Sequence, residues 1–176
     1  MTEEELIRLC ISQDRKGQRL LYQKFVSPMG RLCIRYLKNE EEAKDTVTEG
    51  FLKVFASIQS FESRHQGSLE AWMRKIMVNE CLMKLRKNRG LIFLNIEEAE
   101  FIEISSIEEN ISAEEIFRMV AALPDGYRTV FNLFVLEGYS HKEISEMTGM
   151  SESASRSQLT HARSKIKELL LKKGWK

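Results

Sequence analysis

The side chains best suited to chemistry lie near the C-terminus, in GYSHKEISEMTGMSESASRSQLTHAR, residues 138–163, where Ser153, Arg156, Ser157, Thr160 and His161 recur at helical spacing. Projected at about 100° per residue they share one face, and Leu159, Ala162, Ile166 and Leu169 fall on the other. The polar face is small and basic, without the long Glu/Lys pairs of a merely solvated helix. Such groups can approach base edges in a DNA groove, where arginine offers two donors to the paired acceptors of guanine. Covalent chemistry has no comparable support. His65, His141 and His161 lack metal-ligand spacing, no nucleophile-base pair is evident, and no Gly-rich phosphate loop is present. The expectation is a binding protein rather than an enzyme, with no catalytic residue, metal or cofactor.

The elements that must position this face are legible in the same stretch. Ser140 with Glu143 forms a capping box that starts a helix, Ile144 and Met147 give that helix an apolar face, and Gly149 closes it. Met150 and Ser151 then supply an apolar residue and a second N-cap, and another helix runs from about Glu152. Two helices, a glycine turn and a polar second helix make a helix-turn-helix, whose second member can enter a major groove. An ordinary helical hairpin is the alternative, and the short, basic outward face argues against it.

At 176 residues the chain has room for one large or two small domains. Its 43% hydrophobic and 30% charged content describe a globular protein with a real core, and a net charge of +1 excludes a uniformly basic coat. The charge is segregated instead. From Gly90 to Phe117 stand Glu97, Glu98, Glu100, Glu103, Glu108, Glu109, Glu114 and Glu115 with no Lys or Arg, and basic zones flank this run on both sides. Cys10, Cys33 and Cys81 are widely spaced, so neither a disulfide framework nor a zinc site is favoured. No apolar run reaches membrane-spanning length and the N-terminus is acidic. A cytoplasmic protein without membrane insertion or a small-molecule substrate is expected.

Earlier in the chain, Thr2 and Glu5 form a capping box for a short first helix. Residues 16–37 suit one or two helices, with Pro28 as a bend or boundary. Residues 40–58 form an amphipathic helix with Ala43, Val47, Phe51, Val54 and Phe55 inward and Lys44, Asp45, Thr48, Glu49 and Lys53 outward. After the polar turn QSFESRHQG, Ser68 is expected to N-cap a helix from Leu69 to about Lys87, with Trp72 and the Leu82-Met83 pair on its core side. LIFLNI, residues 91–96, reads as an extended part of the connector. Helices are expected over 113–123, stopped by Pro124, and over 125–137, closed by Gly138. The fold class is therefore all-α: an N-terminal helical bundle over 1–89, an acidic linker over 90–112 and a C-terminal helix-turn-helix domain over 113–176.

Two separate regions resemble one family, the bacterial RNA polymerase sigma factors of the extracytoplasmic-function (ECF) type. LPDGYRTVFNLFVLEGYSHKEISEMTGMSESASRSQLTHARSKI, residues 123–166, resembles the family's promoter-reading domain. EEAKDTVTEGFLKVF, residues 41–55, is similar to its core-polymerase-binding helix, and SLEAWMRKIMVNECLMKLRKNR, residues 68–89, to the helix that meets the minus-10 element.

The resemblance implies core RNA polymerase, promoter DNA and, as is common in the family, an anti-sigma factor as partners. It places Asp45, Glu49, Phe51 and Lys53 at the polymerase surface. It puts Phe61 and Asn79 in a pocket for a base extruded from the minus-10 strand, with Lys75, Lys84, Arg86 and Lys87 on phosphates. Ser153, Arg156, Ser157, Thr160 and His161 fall at the major-groove face and Arg163 on the minus-35 backbone. Departures from the family pattern are Ser155 at a usually Val-like inward position, Gln158 and His161 at frequent Arg positions, and Thr48 where Gln is common. A stand-alone helix-turn-helix regulator is the alternative reading.

Overall fold

The computed structural model describes residues 2–62, 65, 67–89 and 112–174, and every regular element among them is helical. The chain divides into two units, Met1–Arg89 and Gly90–Lys176. The expected acidic connector, LIFLNI included, lies outside the described residues except for Ser112.

The first unit contains α1 (Glu3–Ile11), α2 (Arg15–Leu37), α3 (Glu40–Ser57), a 3-10 turn (Ile58–Ser60) and α4 (Ser68–Arg89). Local capping explains the first three starts: Thr2 and Glu5 form the expected box, Asp14 accepts from Gly17 N–H at 2.8 Å, and Asn39 accepts from Glu42 N–H at 3.0 Å. Pro28 neither ends nor splits α2, contrary to the expectation of a boundary. The lost backbone donor is offset by packing on both sides of it, since Leu21, Phe25, Met29, Leu32, Cys33, Tyr36 and Leu37 are all buried. Fully burying one such aliphatic or aromatic side chain contributes about 1.5 to 3 kcal/mol.

Met73, Met77, Val78, Cys81 and Leu85 of α4 complete this core together with Ala43, Val47 and Val54 of α3. A Cβ on Gly50 would overlap the Met77 side chain, so the glycine permits the close approach of α3 to α4. The three cysteines are free and buried, and burial pushes the Cys81 thiol well up, helped by its hydrogen bond with Cys33. Met83 departs from its expected core position and is 54% exposed, because Leu82 takes the inward position. Ser68 is not the expected N-cap. It is the first residue of α4, and its hydroxyl is buried without a hydrogen-bond partner.

The second unit contains α5 (Ala113–Ala122), α6 (Asp125–Phe131), a π-helical turn (Asn132–Leu136), α7 (His141–Thr148) and α8 (Glu152–Lys172). Ser112 and Glu115 form a capping box at α5, as do Ser140 and Glu143 at α7. Gly149 closes α7 at φ 80°, a left-handed conformation that glycine adopts without steric cost, and Ser151 caps α8.

The helix expected over 125–137 loosens into the π turn, where Glu137 N–H donates to Asn132 O at 2.9 Å. That change of register leaves Val135 and Leu136 exposed, while Val130, Phe131 and Leu133 stay buried. Arg128 is wholly buried at the α5–α6 corner, where it donates to Leu123 O at 2.8 Å and to Asp125 Oδ1 at 2.5 Å. The guanidinium thus satisfies a helix C-terminal carbonyl and a carboxylate from one site. Among the described residues no helix is long and apolar enough to cross a membrane.

Candidate nucleic-acid interface

In α8 the helical period turns Ala154, Ser155, Gln158, Leu159, Ala162, Ile166 and Leu170 inward. Ser153, Arg156 and Arg163 are exposed, as the sequence reading requires. Arg156 is held by Glu152 at 2.9 Å, and Thr160 donates to Arg156 O at 3.1 Å. An exposed i,i+4 pair of this kind is worth only a few tenths of a kcal/mol, so the guanidinium can leave it for a base edge at little cost.

Two members of the expected reading face are not simply exposed. Ser157 lies on the same side of α8 as Ser153 and Arg156 but is half-buried, with its hydroxyl shielded and without a hydrogen-bond partner. His161 stacks on Tyr127 of α6, with ring centroids 5.3 Å apart and planes 14° apart, and so supports its own unit as much as it faces outward.

A cluster that the sequence did not suggest fixes α8 against α7. The His141 ring stacks on Phe134 at 4.4 Å, and its Nδ1 shares a 2.9 Å hydrogen bond with the Oγ of wholly buried Ser155. Burial holds the His141 imidazole below its ordinary value; Arg156 and Arg163 act in the same direction and Glu152 opposes them. Further along α8, Lys165 and Lys172 flank Glu168 at 2.8 and 2.7 Å and hold its carboxyl down to about 2. Two of the cations in the basic tail are thus engaged within the helix.

In the first unit, Asp45, Thr48 and Glu49 stand exposed along α3. Phe51 does not join them. It is 3% exposed and packs on Tyr22 with centroids 4.8 Å apart, so the helical period that puts Asp45 and Glu49 outside puts Phe51 inside. The apolar residue that α3 does present is Leu52, 65% exposed, which sequence reasoning missed and which its place between Phe51 and Lys53 could have flagged. Lys53 is half-exposed, and its ammonium lies 2.6 Å from Glu80 of α4, a carboxylate that is 7% exposed. Its first task is to neutralise that buried charge.

Phe61 lies against Trp72, with centroids 5.0 Å apart, and together with Ser60, Glu62 and Ser68 the two rings line a pocket of about 300 Å³. Trp72, expected in the core, is half-buried and forms a wall of this pocket. Asn79 does not line it. It stands exposed on α4 about 10 Å of helical rise beyond Trp72. Lys75, Arg86 and Lys87 are exposed and Lys84 is half-buried on the same helix.

Two family models match the chain, Sigma-70 region 2 over residues 21–90 and Sigma-70, region 4 over residues 113–166. The chain belongs to the sigma-70 family. Its type is extracytoplasmic-function, by likeness along nearly the whole length to factors of that type. The ECF RNA polymerase sigma-E factor of Haemophilus influenzae is 25% identical over 183 residues, which cover 94% of each chain. The RNA polymerase sigma factor SigV of Bacillus subtilis is 27% identical over 132 residues, covering 75% of this chain and 78% of the relative.

Among solved structures, the sigma factor RpoE from Bartonella quintana, in complex with the anti-sigma factor NepR, shares the fold at a TM-score of 0.54. It is 20% identical and the likeness covers 87% of this chain and 96% of that one. The chain is thus a transcription-initiation factor whose partners are core RNA polymerase and promoter DNA. Its α3 and α4 fall within the region 2 match, which also takes in α2 from residue 21 onward, and α5 to α8 begin within the region 4 match.

Proposed function

We propose that the two units divide the work of initiation between them, the first gripping core polymerase and trapping the minus-10 strand, the second docking on the minus-35 element. The observation that carries this reading is that region 2 and region 4 both match, in that order, on two separate helical units. A stand-alone regulator has no need of region 2.

In the first unit Asp45 and Glu49 on α3 set orientation and encounter rate with the polymerase, as charged rim groups do, and Leu52 supplies the apolar contact that buried Phe51 cannot. Phe61 and Trp72 receive a base pulled from the duplex, since a flipped base needs an aromatic wall. Asn79 meets the strand farther along α4, and Lys75, Lys84, Arg86 and Lys87 follow its phosphates, contributing affinity that falls with salt. Trapping an unstacked base offsets an unstacking cost of a few kcal/mol, so strand separation draws on binding energy alone.

In the second unit Arg156 reads a base in the major groove, Ser153 and Thr160 flank it, and Arg163 holds the backbone. The connector's negative charge keeps it off promoter phosphates. The chain works in the cytoplasm, performs no covalent step itself, and is a candidate for restraint by an anti-sigma factor, such as the solved sigma factor that it resembles has bound.

Run-off transcription from a genomic DNA library, with purified core polymerase and with or without this chain, tests the reading. New start sites that depend on the chain are expected, and reversing the charges of Asp45 and Glu49 together should weaken co-purification with core about tenfold. Tight duplex binding without core, and no chain-dependent start site, would instead favour a stand-alone regulator.

A further inference from the structure

Glu3 opens α1, ahead of the residues matched to region 2, which begin at 21. Its carboxylate reaches beyond its own helix. Oε2 accepts from Gly67 N–H at 3.2 Å and Oε1 from Leu69 N–H at 3.3 Å, across 64 and 66 residues of chain. The N-termini of α1 and α4 therefore converge on one carboxylate, each presenting the positive end of its backbone dipoles. α1 also packs on the 3-10 turn Ile58–Ser60.

One helix thus holds both ends of the turn that carries Phe61: the entry through Ile58–Ser60 and the exit through Gly67 and Leu69. Ser68, the first residue of α4, has its hydroxyl buried among the pocket-lining groups without a hydrogen-bond partner. At the start of α4, one turn before Trp72, the N–H groups of Gly67 and Leu69 are instead met by a carboxylate from α1.

We propose that Glu3 is a positioning residue for promoter opening: by fixing the N-terminus of α4 against α1 it sets Trp72 opposite Phe61 and so shapes the pocket that receives the extruded base. The role rests on the base-capture reading above.

The test uses the full chain assembled with core polymerase and compares Glu3→Gln, Glu3→Ala, Phe61→Ala and Glu4→Ala. Glu4→Ala removes a neighbouring first-turn charge from α1 without touching α4. Opening is followed by permanganate reactivity of unpaired thymines, closed binding by duplex retention at low temperature, and core association by co-purification. This chain's only tryptophans are Trp72 and Trp175, so in the free chain, before core is added, a Trp175→Phe background makes emission a direct report on the pocket wall.

Opening by Glu3→Ala should fall about threefold to tenfold, the net worth of a hydrogen bond, with Glu3→Gln intermediate because it keeps one acceptor oxygen. Trp72 emission should shift in both, and core association, closed binding and Glu4→Ala should stay near wild type. Wild-type opening by Glu3→Ala beside a defective Phe61→Ala would overturn the positioning role and leave base capture standing. Normal opening by Phe61→Ala would overturn base capture and this role with it. A loss of helical fold in Glu3→Gln, with core association lost in proportion, would make Glu3 a folding residue and likewise overturn the proposal.

Discussion

The two units are held by polar links of different reach. In the first, the side chains that fix one helix to another come from distant parts of the chain: Glu3 caps α4 across 64 residues and Lys53 neutralises Glu80 across 27. In the second, links are nearly all local. Capping boxes open α5 and α7, Arg128 closes the α5–α6 corner within five residues and His141 meets Ser155 across 14, while the longer reach from Tyr127 to His161 is a stacking of rings. A helix-turn-helix can be specified by short-range grammar and presented as one face, whereas the Phe61–Trp72 pocket, though lined by residues close in sequence, is braced by Glu3 from the far start of the chain.

Three substitutions test this contrast. The largest effect is expected at Arg128, where alanine removes a wholly buried guanidinium and its donors to Leu123 O and Asp125; loss of a buried, hydrogen-bonded ion costs about 3 kcal/mol or more. Urea unfolding should show the second unit weakened and the first unchanged, and a loss below about 1 kcal/mol would mean that the corner is held by apolar packing instead.

A smaller loss is expected for Lys53→Ala, about 1 to 2 kcal/mol in the first unit, because solvent reaches half of the lysine while Glu80 stays buried. Weaker core binding without that loss of stability would return Lys53 to the polymerase surface. Smallest is a pH effect in the second unit. Because the folded imidazole of His141 titrates below the ordinary 6.5, its contribution is complete above that value and is lost as pH falls through 6.5 toward the folded value, where the unfolded chain takes the proton first. The melting temperature of the second unit should decline shallowly from about pH 7 to 5, and His141→Phe, which keeps a ring on Phe134, should flatten the decline.

The same contrast of reach governs what could be read from the residues alone. Caps at Thr2, Ser140 and Ser151 and the left-handed Gly149 are decided within four residues, so pattern and structure agree there. The exposed faces of Asp45, Glu49, Arg156 and Arg163 follow from helical period in the same way.

Disagreement arises where tertiary contact outvotes local preference. Pro28 stays inside α2 because the core around it is continuous, and Ser68 loses its capping role to a carboxylate from another helix. Motif position carried Phe51 to an interface that its side chain does not face, since a family position names a residue and not its rotation about the helix axis. Asn79 and Trp72 exchange places at the Phe61 pocket for the same reason. The π turn at Asn132–Leu136 has no periodic signature in so short a window, and its consequence, the stacking of Phe134 on His141, was equally hidden.

The buried thiols give the molecule a built-in gauge. Cys10, Cys33 and Cys81 are the chain's only cysteines, and all three lie in the unit that contains the Phe61–Trp72 pocket. An alkylating reagent can therefore reach sulfur only when that unit breathes. Its rate of modification, free and in holoenzyme, measures how far polymerase tightens one half of the chain without any signal from the other.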